Sequence, residues 1–115
     1  LKKNGKLIIE VPSCNDLLLR DKNLQNFRNF YMWSEHLIIF SENLLYKILK
    51  KSGFKNIKIN HYQRYGIANH LSWFVFDEPA SVKFYNDFRI IKSETKYKKL
   101  LEQKKQTDTL IGLCN

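Results

Sequence analysis

Residues Phe40 to Phe54, FSENLLYKILKKSGF, constrain the fold more than any other stretch, because they spell out one helix with both ends specified. Ser41 is a favourable N-cap, whose hydroxyl can accept from a first-turn backbone N–H. Phe40 before it and Leu45 after it are spaced as a hydrophobic staple. Glu42 in the first turn and Lys50 and Lys51 in the last complement the helix dipole. Gly53 suits the left-handed position beyond the C-terminus, from which Phe54 can fold back on Leu49. Leu44, Leu45, Ile48 and Leu49 form one apolar stripe.

On either side of this helix the pattern changes to strands. Lys6 to Val11 (KLIIEV) follows the turn signal Asn4-Gly5 and ends at Pro12, which offers no N–H. Its residues are apolar in both phases, which predicts an interior strand covered on both faces. Phe54 to His61 alternates Ile57 and Ile59 with Lys58 and Asn60, the pattern of a half-exposed edge strand. Leu71 to Phe76 (LSWFVF) is almost wholly apolar and is predicted to be a second interior strand. Residues 13–35 read as one or two short helices, capped by Asn15 or Asp16, with Leu24, Phe27 and Tyr31 on one face. Pro79 opens a further helix bearing Phe84, Phe88 and Ile91, with a break expected near Ser93, and Leu110 to Leu113 is expected to tuck back onto the body. The fold class is α/β.

Composition narrows the options. The chain has 115 residues, 43% apolar and 14% aromatic, enough for one folded domain. No apolar run approaches the roughly 18–20 residues that span a bilayer, no signal peptide opens the chain, and a cytoplasmic protein is expected. The chain begins at Leu1 rather than Met, which suggests an excised piece. Cys14 and Cys114 have no metal-ligand spacing and read as reduced thiols. A net charge of +9 permits nucleic acid, anionic membrane or acidic partners. The basic residues are spread along the chain and carry no recognition motif, so a nucleic-acid module or a pure interaction domain is the alternative reading.

Chemistry-bearing residues cluster in two places. FYMWSEHLIIF, residues 30–40, packs aromatics around His36; over a strand end such rings can wall a pocket. YQRYGIANH, residues 62–70, brings Arg64, Tyr65, Asn69 and His70 to a bend at Gly66, a set suited to an anion or a sugar. Glu10, Pro12 and Ser13 stand at the C-terminal end of the first strand, a usual place for ligand groups in open α/β sheets. No Gly-rich phosphate loop, HExxH, CxxC pair or GxSxG occurs.

The order of parts resembles a known family. LKKNGKLIIEVP is similar to the "LKPGG-x-L-hydrophobic-EVP" run opening the fifth strand of Rossmann-like S-adenosylmethionine-dependent methyltransferases. HLIIFSENLLYKILKKSGF resembles their "H-x-x-x-FS-x-x-x-L-x-x-L-x-x-x-GF" segment, and YQRYGIANHLSWFVFDEP the passage into the seventh strand in a bacterial subgroup found with surface-glycan or small-molecule biosynthesis. TDTLIG looks like that subgroup's C-terminus, although Asn4 stands where the family has proline or glycine.

The resemblance implies the C-terminal part of the methyltransferase sheet over residues 1–77, with a helical extension over 78–115. The seventh strand would be antiparallel and lie between the fifth and the edge sixth. The family's glycine-rich cofactor motif is absent from the sequence, so S-adenosylmethionine would be held by residues of a longer parent and this fragment alone would be inactive. His36 is the candidate base, Tyr31 and Trp33 the acceptor walls, and Arg64, Tyr65, Asn69 and His70 the groups that orient a small-molecule or glycan-precursor acceptor. If a missing half normally covers the first strand, its free edge would invite pairing of two copies.

Overall fold

The computed structural model describes residues 5–81 and 91–115. Three strands, β1 (Leu7–Pro12), β2 (Lys58–Tyr62) and β3 (Thr109–Cys114), form a sheet in the order β1-β3-β2. Both outer strands run antiparallel to β3, with Pro12 and Tyr62 each opposite Thr109. Four α-helices accompany them among the described residues: α1 (Gln25–Tyr31), α2 (Glu42–Lys51), α3 (Ile67–Phe76) and α4 (Ile91–Gln103). A 3-10 helix, Leu17–Arg20, precedes α1. The protein is therefore a mixed α/β structure built on a three-stranded antiparallel sheet.

The capped helix forms as its sequence requires. Ser41 Oγ accepts from Leu44 N at 3.1 Å. At the far end Gly53 adopts φ +88°, Gly53 N donates to Lys50 O and Phe54 N donates to Leu49 O, each at 3.1 Å. This double bond pattern satisfies carbonyls that a helix end leaves unpaired. Leu45 and Leu49 are buried on the sheet with Leu110 and Cys114, and Phe40, Phe54, Ile9, Val11 and Ile59 pack around them. Leu44 and Ile48, expected in the same stripe, are about 40% exposed, since the sheet covers only one side of the helix. Gly112 lets α2 approach: a Cβ there would stand 2.9 Å from Ile9 Cγ2 and 3.2 Å from Leu49 Cδ1.

The central strand is not the one expected. Leu71 to Phe76 lies in α3, and the strand between β1 and β2 is Thr109–Cys114, from the segment expected only to tuck back behind a helical extension. A short apolar run suits a buried helix as well as a buried strand. In α3 the buried side chains are Ala68, Asn69, His70, Ser72 and Trp73, which share a helical face, while Phe74, Val75 and Phe76 are exposed. The first strand also differs from expectation. Among the described residues β1 pairs only with β3, and Ile8, on the face away from α2, is 70% exposed. β2 is an edge strand, as its lysine and alternation predict.

A second core joins the helices. Leu18, Leu24, Phe27, Tyr31 and Trp73 are buried together, with Phe27 stacked edge-on to Trp73 at a centroid distance of 5.1 Å. Helix α1 has no side-chain cap of its own at Leu24. Asp77, in the left-handed conformation after α3, supplies one: its carboxylate accepts from Asn26 N (2.8 Å) and Phe27 N (3.1 Å). The start of α3 is treated similarly by α4. The Glu94 carboxylate lies against Gly66 and accepts from Ala68 N at 3.5 Å. Helix α4 begins at Ile91 among the described residues, and the helix expected after Pro79, with Phe84 and Phe88, lies outside them, so the break expected near Ser93 falls at their border. Cys14 and Cys114 are free thiols, and no described helix is long and apolar enough to cross a membrane.

Candidate functional site

Because Pro12, Tyr62 and Thr109 are in one register row, the C-terminal ends of β1 and β2 and the start of β3 meet at one edge of the sheet. The chain leaving β1 is held there by Phe40. Phe40 N donates to Pro12 O and Cys14 N donates to Phe40 O, both at 2.9 Å, a single parallel bridge. That bridge closes residues 14–39 into a loop carrying α1 and the aromatic segment, and it brings the segment back over the strand ends.

A cavity of about 320 Å³ opens at this place. Its walls include Tyr31, Trp33, His36, Arg64 and Tyr65, together with Glu10, Phe30 and Glu35. Five of the seven residues singled out by sequence thus line one space, although they come from segments about 30 positions apart in the chain. Asn69 and His70 line a neighbouring cavity of about 250 Å³, which shares Phe30, Tyr31 and Tyr65 with the first. Both are buried on α3 rather than lying in the loop around Gly66.

The orientation of His36 is set by its neighbour. Nδ1 lies 2.7 Å from the Tyr31 carbonyl oxygen, which can only accept, so Nδ1 carries a proton and donates. In the neutral ring Nε2 then has the lone pair, a basic nitrogen in the wall of the cavity. The ring rests edge-on to Tyr31 at 5.7 Å. Tyr31 is fixed in turn, its hydroxyl shared between Ser13 O (2.7 Å) and Asp108 O (3.0 Å). Burial, helped by the Asp16 and Asp108 carboxylates, pushes its phenol far above the ordinary range, so Tyr31 stays protonated.

Arg64 forms an ion pair with Glu10. Glu10 is thus more than a strand-end carboxylate, and the guanidinium expected to meet an anion has its charge matched before any ligand arrives. What places Arg64 and Tyr65 is Asp108, a residue not singled out by sequence reading. Its carboxylate accepts from Arg64 N (3.0 and 3.1 Å), Tyr65 N (3.0 Å) and Gln63 Nε2 (2.8 Å). Gln63 is itself buried and also donates to Tyr65 O. The partners of Asp108 lie more than 40 residues away in the chain, so no local pattern marks it.

The chain matches no protein-family model, and no curated protein or solved structure matches it.

The second cavity is walled by a buried polar network. His70 Nδ1 meets the Tyr97 hydroxyl at 2.7 Å, and Nε2 stands 3.3 Å from Gln63 Nε2. Burial lowers His70 to about 4, so it is neutral there. It is a structural partner of Tyr97 as much as a ligand group. Asp16, also buried, accepts from Leu18 N at 2.8 Å as the cap of the 3-10 helix. Burial raises its carboxyl to about 7, with Leu18 N opposing and Asp108 adding to the rise.

The sequence after β1 lacks the glycine-rich turn that the resemblance associates with S-adenosylmethionine: no glycine occurs between Gly5 and Gly53. Among the described residues no cluster of three His, Cys, Asp or Glu side chains could hold a metal ion.

Proposed function

We propose that this chain forms the acceptor side of an S-adenosylmethionine-dependent methyltransferase, with a small-molecule or glycan-precursor acceptor bound over the strand ends. The observation that carries the reading is the single cavity in which a histidine with its Nε2 lone pair free faces aromatic walls and an internally matched Arg64–Glu10 pair. In it, His36 Nε2 accepts the proton that an acceptor hydroxyl or amine gives up, while Trp33 and Tyr65 hold the acceptor's flat or ring portion. Matched charge at Arg64 favours a neutral, hydroxyl-bearing acceptor over an anion. The strand order supports the same reading, because the resemblance requires an antiparallel strand between the fifth and sixth, and residues 109–114 occupy that position. The cofactor is assigned to residues of a longer parent chain.

Calorimetric titration of S-adenosylmethionine into a chain extended upstream in its own reading frame tests this, with the 115-residue chain as control. Binding by the longer chain alone is the expected result, and binding by neither would overturn it. On an acceptor found with the longer chain, His36→Gln is expected to lower kcat by roughly 10²-fold or more.

A further inference from the structure

The second cavity has a composition that the acceptor reading does not use. Phe27, Phe30, Tyr31, Tyr65 and Trp73 line it, and among the described residues Asp16 is the one carboxylate in its wall. The rings form a continuous set: Phe27 to Tyr31 at 5.3 Å, Phe27 to Trp73 at 5.1 Å and Phe30 to Trp73 at 5.6 Å between centroids. Among the described residues no lysine or arginine lines the cavity and Asp16 is in no ion pair. We propose that this cavity binds a small quaternary alkylammonium group, seated between the Asp16 carboxylate and the aromatic rings.

Three physical arguments support this occupant. Ring faces attract a cation through their quadrupole, and a methylated ammonium loses little hydration on entering such a site. A buried carboxylate without a counter-charge is costly, and a cation relieves that cost where a neutral guest would not. The cavity volume of about 250 Å³ also lies below the range of drug-sized ligand sites, which suits a headgroup rather than a nucleotide. The raised Asp16 carboxyl is the expected signature of such a site when empty: the carboxyl keeps its proton until a cation displaces it.

Binding should therefore depend on pH. The groups facing Asp16 are Tyr31 on α1, Asp108 before β3, His70 on α3 and Tyr97 on α4, with Glu94 beyond Tyr97. Both tyrosines stay protonated near neutrality, His70 stays neutral, and the Asp108 carboxylate is taken up by backbone N–H groups. The change across neutral pH thus belongs to Asp16. This site stands whether or not the methyltransferase reading holds.

Calorimetry on the 115-residue chain with choline chloride, and with its uncharged carbon isostere dimethylbutanol, tests the assignment. At about pH 8 choline should bind at least roughly tenfold more tightly than the isostere, and about tenfold more weakly at about pH 6. Asp16→Asn keeps an oxygen for Leu18 N and should abolish the preference for the charged ligand with the circular dichroism unchanged. Phe30→Leu, at a half-exposed position where folding is not at stake, should weaken choline severalfold. No choline binding by the folded chain, equal binding of the isostere, or an undiminished preference in Asp16→Asn would each overturn the proposal. Should Asp16→Asn unfold the chain, the pH dependence and Phe30→Leu decide it.

Discussion

Asp16 and His70 are both buried in the wall of one cavity, yet they act on stability in opposite directions. Burial pushes the Asp16 carboxyl up to about 7 from its ordinary 3.8. As pH rises through that window the unfolded chain has given up a proton that the folded chain keeps, so the residue's contribution to stability falls. Burial pushes the His70 imidazole down to about 4 from its ordinary 6.5. As pH drops through that window the unfolded chain takes up a proton that the fold refuses, so its contribution is also lost, toward acid. Urea unfolding of Asp16→Asn beside the parent chain should show the variant gaining relative stability from about pH 4 to about pH 7, by up to about 4 kcal/mol. A difference that does not vary with pH would mean that Asp16 is not buried as described. Glu42 behaves in the ordinary sense: hydrogen bonds from Lys105 and His61 lower its carboxyl, and the small stability they bring is lost as acid protonates it.

At the scale of elements, the helices differ in where their caps come from. Helix α2 carries its own, in Ser41, Gly53 and Phe54, and these were legible because the capping atoms lie within a few residues of the ends they satisfy. Helices α1 and α3 borrow theirs, from Asp77 and from Glu94, across separations of 50 and 26 residues. Such a cap leaves no local pattern. Ser41→Ala should cost about 1 kcal/mol. Asp77→Ala should cost at least as much, because it frees two N–H groups and also places alanine at a positive φ. Asp77→Asn, which can accept a hydrogen bond and tolerates that backbone, should cost less. Urea midpoints of the three variants rank them, and an Asn variant as weak as the Ala one would refute the capping role.

At the scale of the whole molecule, the sheet has β1 with one partner among the described residues and an exposed Ile8 on its open face. Unpaired strand N–H and C=O groups beside apolar side chains recruit another strand. We propose pairing of two copies through this edge, for which sedimentation velocity should give a mass that rises with concentration. A monomer at all concentrations would dismiss it. The same sheet places the candidate site: three strand ends meet in one register row, and residues 14–39 are folded over them by a single bridge at Phe40.

The sequence by itself determined what depends on short-range physics: the capped helix, the edge character of β2, the buried face of Leu24, Phe27 and Tyr31, and the aromatic and polar residues that came to share a cavity. Only the tertiary structure decided which apolar run became the central strand. LSWFVF is the more hydrophobic of the two, but Asn69, His70 and Ser72 could be buried on a helix face, where Gln63 and Tyr97 reach His70. TLIGLC has a glycine where a strand pattern would show a side chain, and that gap is what admits Leu49 of α2 onto the sheet. Asp108 was invisible for the same reason: its partners Gln63, Arg64 and Tyr65 are more than 40 residues away, and nothing local shows that a carboxylate will meet three loop residues there. Periodicity and capping are readable because they are local, whereas strand pairing and buried polar networks exist only once distant segments have been brought together.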